Sequence, residues 1–463
     1  MRPELLKRLE EIVGPKNVLT EPEAILDYLA DETAPAIRPR AAEGVVVVKP
    51  GSTEEVARVL ELANELGIPV FPRGGGTGLV GGAIPTRPGV VLSLERMNRI
   101  LEVDVENMMI TVEAGVTLRQ LEEAADEAGL FFPPHPGDEM ATVGGMIACN
   151  AGGARAVKYG VMRSYVTGLE VVLPTGDVLW LGGKLLKNVA GYDLMHLFIG
   201  SEGTLGVITK AILRLFPKPK ATLSLVLAYD NPHDAVRTVP KLLQAGVRPL
   251  AIEFMERDVA EKSAQLQGLK WRLEKGRSYL YIILEGDELE ELYGVAAKID
   301  EIGRASGALD TFVAMDRRDQ EELLAIRRKI YSALKKHTLD ILDIAVPPAR
   351  IADFVEEALE LAKAYGVEFF PIYGHAGDGN LHPQILTKEA GGLEEEKLDE
   401  FREELYELAL RMGGTITAEH GIGVLRLGPF SKHTDERLLK LMKAIKAVFD
   451  PKGILNPGKV IPL

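Results

Sequence analysis

Residues 72–94 read Pro72-Arg73-Gly74-Gly75-Gly76-Thr77-Gly78-Leu79-Val80-Gly81-Gly82-Ala83-Ile84-Pro85-Thr86-Arg87-Pro88-Gly89-Val90-Val91-Leu92-Ser93-Leu94. Gly76, Gly78 and Gly81 match the spacing G-x-G-x-x-G. That spacing holds a dinucleotide only where a helix opens at the turn and points its N-terminus at the pyrophosphate. Here Pro85 and Pro88 follow, and then a β-branched run. No helix fits between them. The stretch predicts strand, long glycine loop, strand, and excludes the Rossmann arrangement. Four glycines among residues 74–78 are costly in chain entropy. Their unobstructed N–H groups can form an anion-binding nest, so a ligand-phosphate role is favoured over a merely wide loop.

On either side, short strands alternate with good helices. Residues 44–48 read as a buried strand, and Ser52 with Glu55 has capping-box spacing for a helix ending near Gly67. Strands are expected at 68–71, 89–94 and 109–113. Thr117 and Gln120 form a second capping box, for a helix ending near Gly129. Residues 131–217 are rich in glycine and short strands, and residues 207–215 near their end alternate like a half-buried strand. Pro217-Lys218-Pro219 then breaks the chain. Beyond it, strands near 222–228, 250–255, 279–285 and 310–315 are separated by helical stretches, which suggests an antiparallel sheet covered by helices. Long helices are expected near 318–336, 350–365, 394–412 and 435–448.

A chain of 463 residues exceeds one ordinary core, so two or three domains are expected. Net charge −14 argues against a nucleic-acid partner, which needs clustered Lys and Arg. No stretch approaches the ~18 apolar residues of a transmembrane segment, and residues 1–7 read as an amphipathic helix start rather than a signal peptide. The single Cys149 excludes an internal disulfide and any thiolate-ligated iron–sulfur cluster within this chain. A reducing, cytoplasmic compartment is expected.

Two further glycine clusters follow the first. One joins Pro133-Pro134-His135-Pro136-Gly137-Asp138 to Ala141-Thr142-Val143-Gly144-Gly145-Met146-Ile147-Ala148-Cys149-Asn150-Ala151-Gly152-Gly153, and the other is Gly200-Ser201-Glu202-Gly203-Thr204-Leu205-Gly206-Val207-Ile208. Each lets a large flat ligand approach the backbone closely, and each alone also admits a structural reading. Near the C-terminus stand His375-Ala376-Gly377-Asp378-Gly379-Asn380-Leu381-His382, Glu419-His420-Gly421-Ile422-Gly423 and Asn456-Pro457-Gly458-Lys459-Val460. After the strand-like run 368–373, His375 and His382 flank a tight loop that turns both imidazoles inward. They either satisfy backbone groups of the turn or, with a carboxylate, hold a divalent ion with open positions.

In this order the segments resemble the vanillyl-alcohol oxidase/para-cresol methylhydroxylase superfamily, over residues 40–217 for its FAD-binding domain and over the remainder for the FAD-linked oxidase C-terminal domain. The nearest subgroup is the flavin subunit of bacterial glycolate oxidase, with the D-lactate and D-2-hydroxyglutarate dehydrogenases as relatives. The resemblance implies an α+β fold: a two-subdomain FAD-binding domain of vanillyl-alcohol oxidase type, and a substrate domain with an antiparallel sheet covered by helices. The implied segments are a helical 1–40, a cofactor domain 41–219, a substrate or cap domain 220–415, and a segment 416–463 returning to the cofactor domain.

The resemblance also implies roles for particular residues. Arg73, Gly74, Gly75, Gly76, Thr77, Gly78 and Leu79 would hold the FAD pyrophosphate. Pro134, Gly137, Asp138, Thr142, Gly144, Gly145, Asn150 and Gly152 would line the cofactor, Val207 and Ile208 would border the adenine side, and Asn456 would approach the flavin. No His lies in 72–82, so FAD is expected to be non-covalent; His135 stands where the family usually has Asp. Glu419 corresponds to the family's metal-binding glutamate and would join His375 and His382 around Zn, Mn or Fe(II), which ligand type does not separate. His420 would be the catalytic base, since an imidazole is suited to taking a proton near neutrality.

Arg327 would be the catalytic-site arginine for a substrate carboxylate, and Asp343 and Arg350 also match the family pattern. The implied reaction is oxidation of a small 2-hydroxy acid to the 2-oxo acid. Ile341 and Gln384 replace a Lys and an Asn of the 2-hydroxyglutarate enzymes, which favours a monocarboxylate such as glycolate or D-lactate. A homodimer, an iron–sulfur subunit and a second flavin-type subunit are compatible partners, and any membrane association would be peripheral, through such a partner.

Overall fold

A computed structural model describes residues 3–462. The buried runs around the first glycine loop make a small parallel sheet. Val90–Ser93 lies between Val46–Val48 and Val70–Arg73, and Val18–Leu19 adds an antiparallel edge. Helix Thr53–Leu66 packs on this sheet and stops at Gly67, whose φ of +66° is the left-handed value that favours glycine. Ser52 caps it by accepting from Glu55 N, but the return bond goes to Gly51 N instead of Ser52 N. At Thr117 and Gln120 both halves of the capping box are present.

A second, five-stranded antiparallel sheet runs Ile100–Asp104, Met109–Glu113, Val207–Arg214, Val166–Val172, Val178–Gly182. It shares one core with the first sheet and with Leu5, Leu9 and Val13 of helix Pro3–Val13. Within the second glycine cluster the structure differs from the sequence reading, which expected loops and strands: Val143–Cys149 is helical. Thr142 caps it, accepting from Gly145 N. A Cβ on Gly144 would sit 2.7 Å from the Ala114 methyl, so the glycines let this helix lie against the sheet.

After Pro217 the chain builds the third sheet, in the order Asp310–Ala314, Ala221–Tyr229, Ser278–Gly286, Ala251–Glu256, Ile372–His375, Asn380–Leu386, Thr338–Ile341, with Ile344–Ala345 also paired to Asn380–Leu386. All its pairings are antiparallel. Leu223, Leu225 and Leu227 face helices Pro232–Gln244, Leu289–Ala305 and Ile351–Ala364, while Val226 and Ala228 face the opposite side, with Val259, Ile326 and Ile330. This is the period-two alternation of a sheet covered on both faces. The helix expected over 318–336 is broken at Lys329 into Arg317–Arg328 and Ile330–Leu334.

The chain then returns to the first half. Leu455 bridges in parallel to Val70, and Ile454 and Leu455 are buried in the first core. Among the described residues no helix is long and apolar enough to cross a membrane.

Candidate active site

The three glycine clusters meet around one cleft of about 1370 Å³, counted out to its mouth. Residues 73–79 form one wall, Asp138, Thr142, Gly144, Gly145 and Gly152 another, and Val207 and Ile208 a third. A Cβ on Gly74 would lie 2.2 Å from Thr142 Oγ1, and one on Gly75 would lie 2.6 Å from Met140 O. The loops therefore touch backbone to backbone, leaving walls of main chain that a flat cofactor can approach. Arg73 turns its guanidinium beneath the loop, donating to Asp27 O (2.7 Å), and so braces Gly76 from behind.

Four residues expected at the cofactor do not line the cleft: Pro134, Gly137, Asn150 and Asn456. Gly137 N donates to His135 Nδ1, and Asn150 ends helix Val143–Cys149 at a left-handed φ of 51°. The Asn456 amide donates to Gly82 O and Glu202 O, tying the returning segment to the loops. His135 is also off the cleft; burial, then Arg155 and Arg328, pull it down to about 3, which keeps it neutral.

At one end the cleft meets the third sheet, with Glu419 and His420 in its lining. His375 ends one strand of a hairpin and His382 lies on the next, in the register Tyr373↔His382 and His375↔Asn380. Residues 373 and 375 share a face, so both imidazoles project to the same side. Their Nε2 atoms lie 3.4 Å and 3.5 Å from the same Glu419 Oε1. An ion bonded at ~2.0–2.2 Å to tetrahedrally placed ligands separates them by close to these distances. His375 Nδ1 donates to Glu253 Oε1 (2.7 Å), the carboxylate backing typical of a ligating histidine.

The electrostatics fit the same use. Burial would raise the Glu419 carboxyl, but His375 and His382 outweigh it and hold it at about 2. Burial, then His420, pull His382 down to about 3, leaving a neutral ring that can ligate. His375 runs the other way: burial opposes a charge on it, yet Glu253 and Glu419 overcome this and raise its pKa well above the ordinary range, so an ion bound at Nε2 would have to displace a proton.

Asp343 also lies close to His382, Glu419 and His420. Its Oδ2 already accepts from Thr417 Oγ1 and from the N–H groups of Ala418, Glu419 and His420, at 2.7–2.8 Å, and its Oδ1 accepts from Asn380 Nδ2. Its acceptor capacity is spent on shaping the turn. The four side chains whose donor atoms lie within 4.8 Å of one another are Asp343, His382, Glu419 and His420, and His375 joins them through Glu419.

The His420 ring stacks on His382, with centroids 5.1 Å apart and planes at 6°. Its Nδ1 is buried and has no hydrogen-bond partner. Arg327, in the last turn of its helix, stands 2.5 Å by Nε from Glu253 Oε2 and leaves Nη2 buried without a partner. Buried polar groups are rarely left unpaired, so these atoms call for a partner; Glu419 and His420 line the cleft, whereas Arg327, His375 and His382 are not part of its lining. Glu253 joins His375 to Arg327 and was missed in the sequence; its signal is a carboxylate between apolar residues in the middle of the buried strand Ala251–Glu256.

Gln384 does not face the cleft: it is fully buried, accepts from Tyr373 Oη and donates to Thr338 Oγ1, so its amide is used up within the sheet. Arg350 pairs with Asp353 at the surface. Ile341 is buried in the apolar cluster beside Ile326 and Tyr373.

The profile for the C-terminal domain of FAD linked oxidases matches residues 218–460, and an FAD binding domain profile matches residues 45–182. The chain is 49% identical to a D-lactate dehydrogenase of Archaeoglobus fulgidus, over 94% of this chain and 95% of that one. It is 40% identical to the glycolate oxidase subunit GlcD of Bacillus subtilis, over 89% and 88%. In fold it resembles p-cresol methylhydroxylase, with a TM-score of 0.77 at 19% identity over 98% of this chain and 96% of that one. With a glycine-walled cleft between two sheets and both profiles matched in order, the chain belongs to the FAD-linked oxidases and is an FAD-dependent oxidoreductase.

Proposed function

We propose that the protein oxidises a small 2-hydroxy monocarboxylate, of the D-lactate or glycolate kind, to the 2-oxo acid. The carrying observation is that Glu419 and His420 line one end of the glycine-walled cleft, with His375 and His382 meeting Glu419 and with Arg327 joined to His375 through Glu253. The names of the two relatives support the substrate class.

Arg327 binds the carboxylate with charge-assisted hydrogen bonds, while Glu253 fixes its orientation. His420 Nδ1 takes the hydroxyl proton as the α-hydrogen leaves with its electron pair. FAD, when bound, supplies the two-electron acceptor. A divalent Zn, Mn or Fe(II) held by His375, His382 and Glu419 would supply Lewis acidity toward the substrate hydroxyl. FAD binding is non-covalent: the first loop carries no His, and the His135 ring engages Gly137 N and Arg328. In this reading residues 41–219 bind the cofactor, 220–415 shape the substrate side, and 416–463 return to close the cleft. With one Cys, any iron–sulfur relay to a final acceptor belongs to another chain.

Anaerobic mixing with a panel of D- and L-2-hydroxy acids tests the proposal. Glycolate or D-lactate should bleach the flavin band fastest. Preferred bleaching by D-2-hydroxyglutarate would move the substrate to the dicarboxylate class. Bleaching by dithionite but by none of the acids would overturn the reading.

Glu419→Ala is expected to lose bound metal and to slow substrate-driven bleaching by at least ~100-fold, more than the ~10–100-fold of outer-shell changes. Metal analysis beside stopped-flow reduction checks this, and full activity after exhaustive chelation would contradict it.

A further inference from the structure

The turn that carries Glu419 and His420 is shaped by two buried carboxylates. On the sheet side, Asp343 Oδ2 accepts from the N–H groups of Ala418, Glu419 and His420. Glu202, in the third glycine cluster, accepts from Ile422 N at Oε1 (2.7 Å) and from Gly423 N at Oε2 (2.8 Å). Five of the six N–H groups from 418 to 423 thus end on these two side chains. The sixth residue, Gly421, has φ +88°, and a Cβ there would lie 2.9 Å from Glu202 Oε1. The turn can close on Glu202 only with glycine at that position.

Glu202 is an unusual place for a carboxylate. Its backbone is left-handed, with φ +49°, which is uncommon for a residue with a Cβ. Its side chain lines the cleft, yet it is engaged by two main-chain amides. Burying a carboxylate is costly unless it is well hydrogen-bonded. A residue that only filled space here would not carry charge.

We propose that Glu202 is a positioning residue: it fixes the 418–423 turn, and with it the His420 ring, against the cofactor cleft, while Asp343 fixes the same turn to the sheet. The two carboxylates set the separation between substrate-side and flavin-side groups. This rests on the reading of His420 as the base. In Glu202→Gln one oxygen can still accept, but the amide NH2 meets the other N–H as donor against donor.

The test uses the FAD-loaded full chain. Glu202→Gln is compared with wild type and with Thr204→Val, a buried change in the same loop that removes only the bond from Thr204 Oγ1 to Ser201 O. Hydrogen–deuterium exchange of peptides covering 415–425 should rise by about 10-fold in Glu202→Gln and not in Thr204→Val. With a 2-hydroxy acid that reduces wild type, the limiting rate of flavin reduction should fall ~10–100-fold, as for an ångström-scale misplacement. The apparent Kd for the acid should change little, the isotope effect with α-deuterated acid should rise, and FAD content should stay at the wild-type level.

Where Glu202→Gln does not load FAD, Gly421→Ala disturbs the same contact from the other side and is read in the same way. Unchanged exchange overturns the proposal, and so does increased exchange with an unchanged reduction rate. If no 2-hydroxy acid reduces wild type, the functional reading fails and the exchange measurement alone decides whether Glu202 clamps the turn.

Discussion

His420→Ala is expected to slow substrate-driven flavin reduction by ~10²–10⁴-fold, the usual contribution of a positioned acid–base group. FAD should remain bound, because the loops that would hold it present main chain, and His420 touches only one end of the cleft. The ring is held by stacking on His382 and by its own backbone bond to Asp343, so removing it leaves the turn anchored. Stopped-flow reduction under anaerobic conditions, with FAD content measured on the same sample, checks both halves. Reduction at the wild-type rate would assign the proton to another group. Loss of FAD would mean that the ring supports the cofactor.

Asp340→Ala is expected to destabilise the fold by about 3–5 kcal/mol, the cost of leaving a buried partner charge uncompensated. Asp340 is wholly buried and meets Arg426 through two hydrogen bonds of 2.7 and 2.6 Å, with Arg402 adding a third at 2.9 Å. Arg426 also donates to Ile341 O. Urea unfolding at saturating FAD reads the loss. A joint Asp340→Leu, Arg426→Met variant should recover much of it, since apolar replacement of both partners removes the stranded charge. Burial opposes the Asp340 charge, but Arg426 and Arg402 outweigh it and depress its titration. A depressed carboxylate contributes stability above its unfolded pKa and loses it as pH falls through the folded one. The gap between wild type and Asp340→Ala should therefore be flat near neutrality and narrow only below about pH 4.

The parts of this molecule legible in its sequence are those set by local chemistry. Pro85 and Pro88 sufficed to exclude a helix after the first glycine loop, and none forms there. Ser52 and Thr117 marked helix starts because capping is a contact of three residues. Helix Val143–Cys149 was hidden because its glycines argue against a helix, and only packing on Ala114 favours them. His375 and His382 stood out by residue type and spacing and Glu419 through the family resemblance, whereas Glu253 and Glu202 did not stand out, since their partners lie over a hundred residues away. Gln384 shares a face with His382, yet its amide is engaged by Tyr373 and Thr338, partners that no local pattern reveals.

The bridge from Leu455 to Val70 bears on synthesis. Val70–Arg73 is the edge strand of the first sheet, and the returning residues 454–456 pair with its start, through Val70 N to Ile454 O and Asn456 N to Val70 O. A ribosome adding ~5–20 residues per second leaves that edge bare for on the order of tens of seconds. An open, apolar strand edge invites pairing with neighbouring nascent chains. Yield in the cell should thus depend on chaperone cover during elongation more than on the stability of the finished molecule.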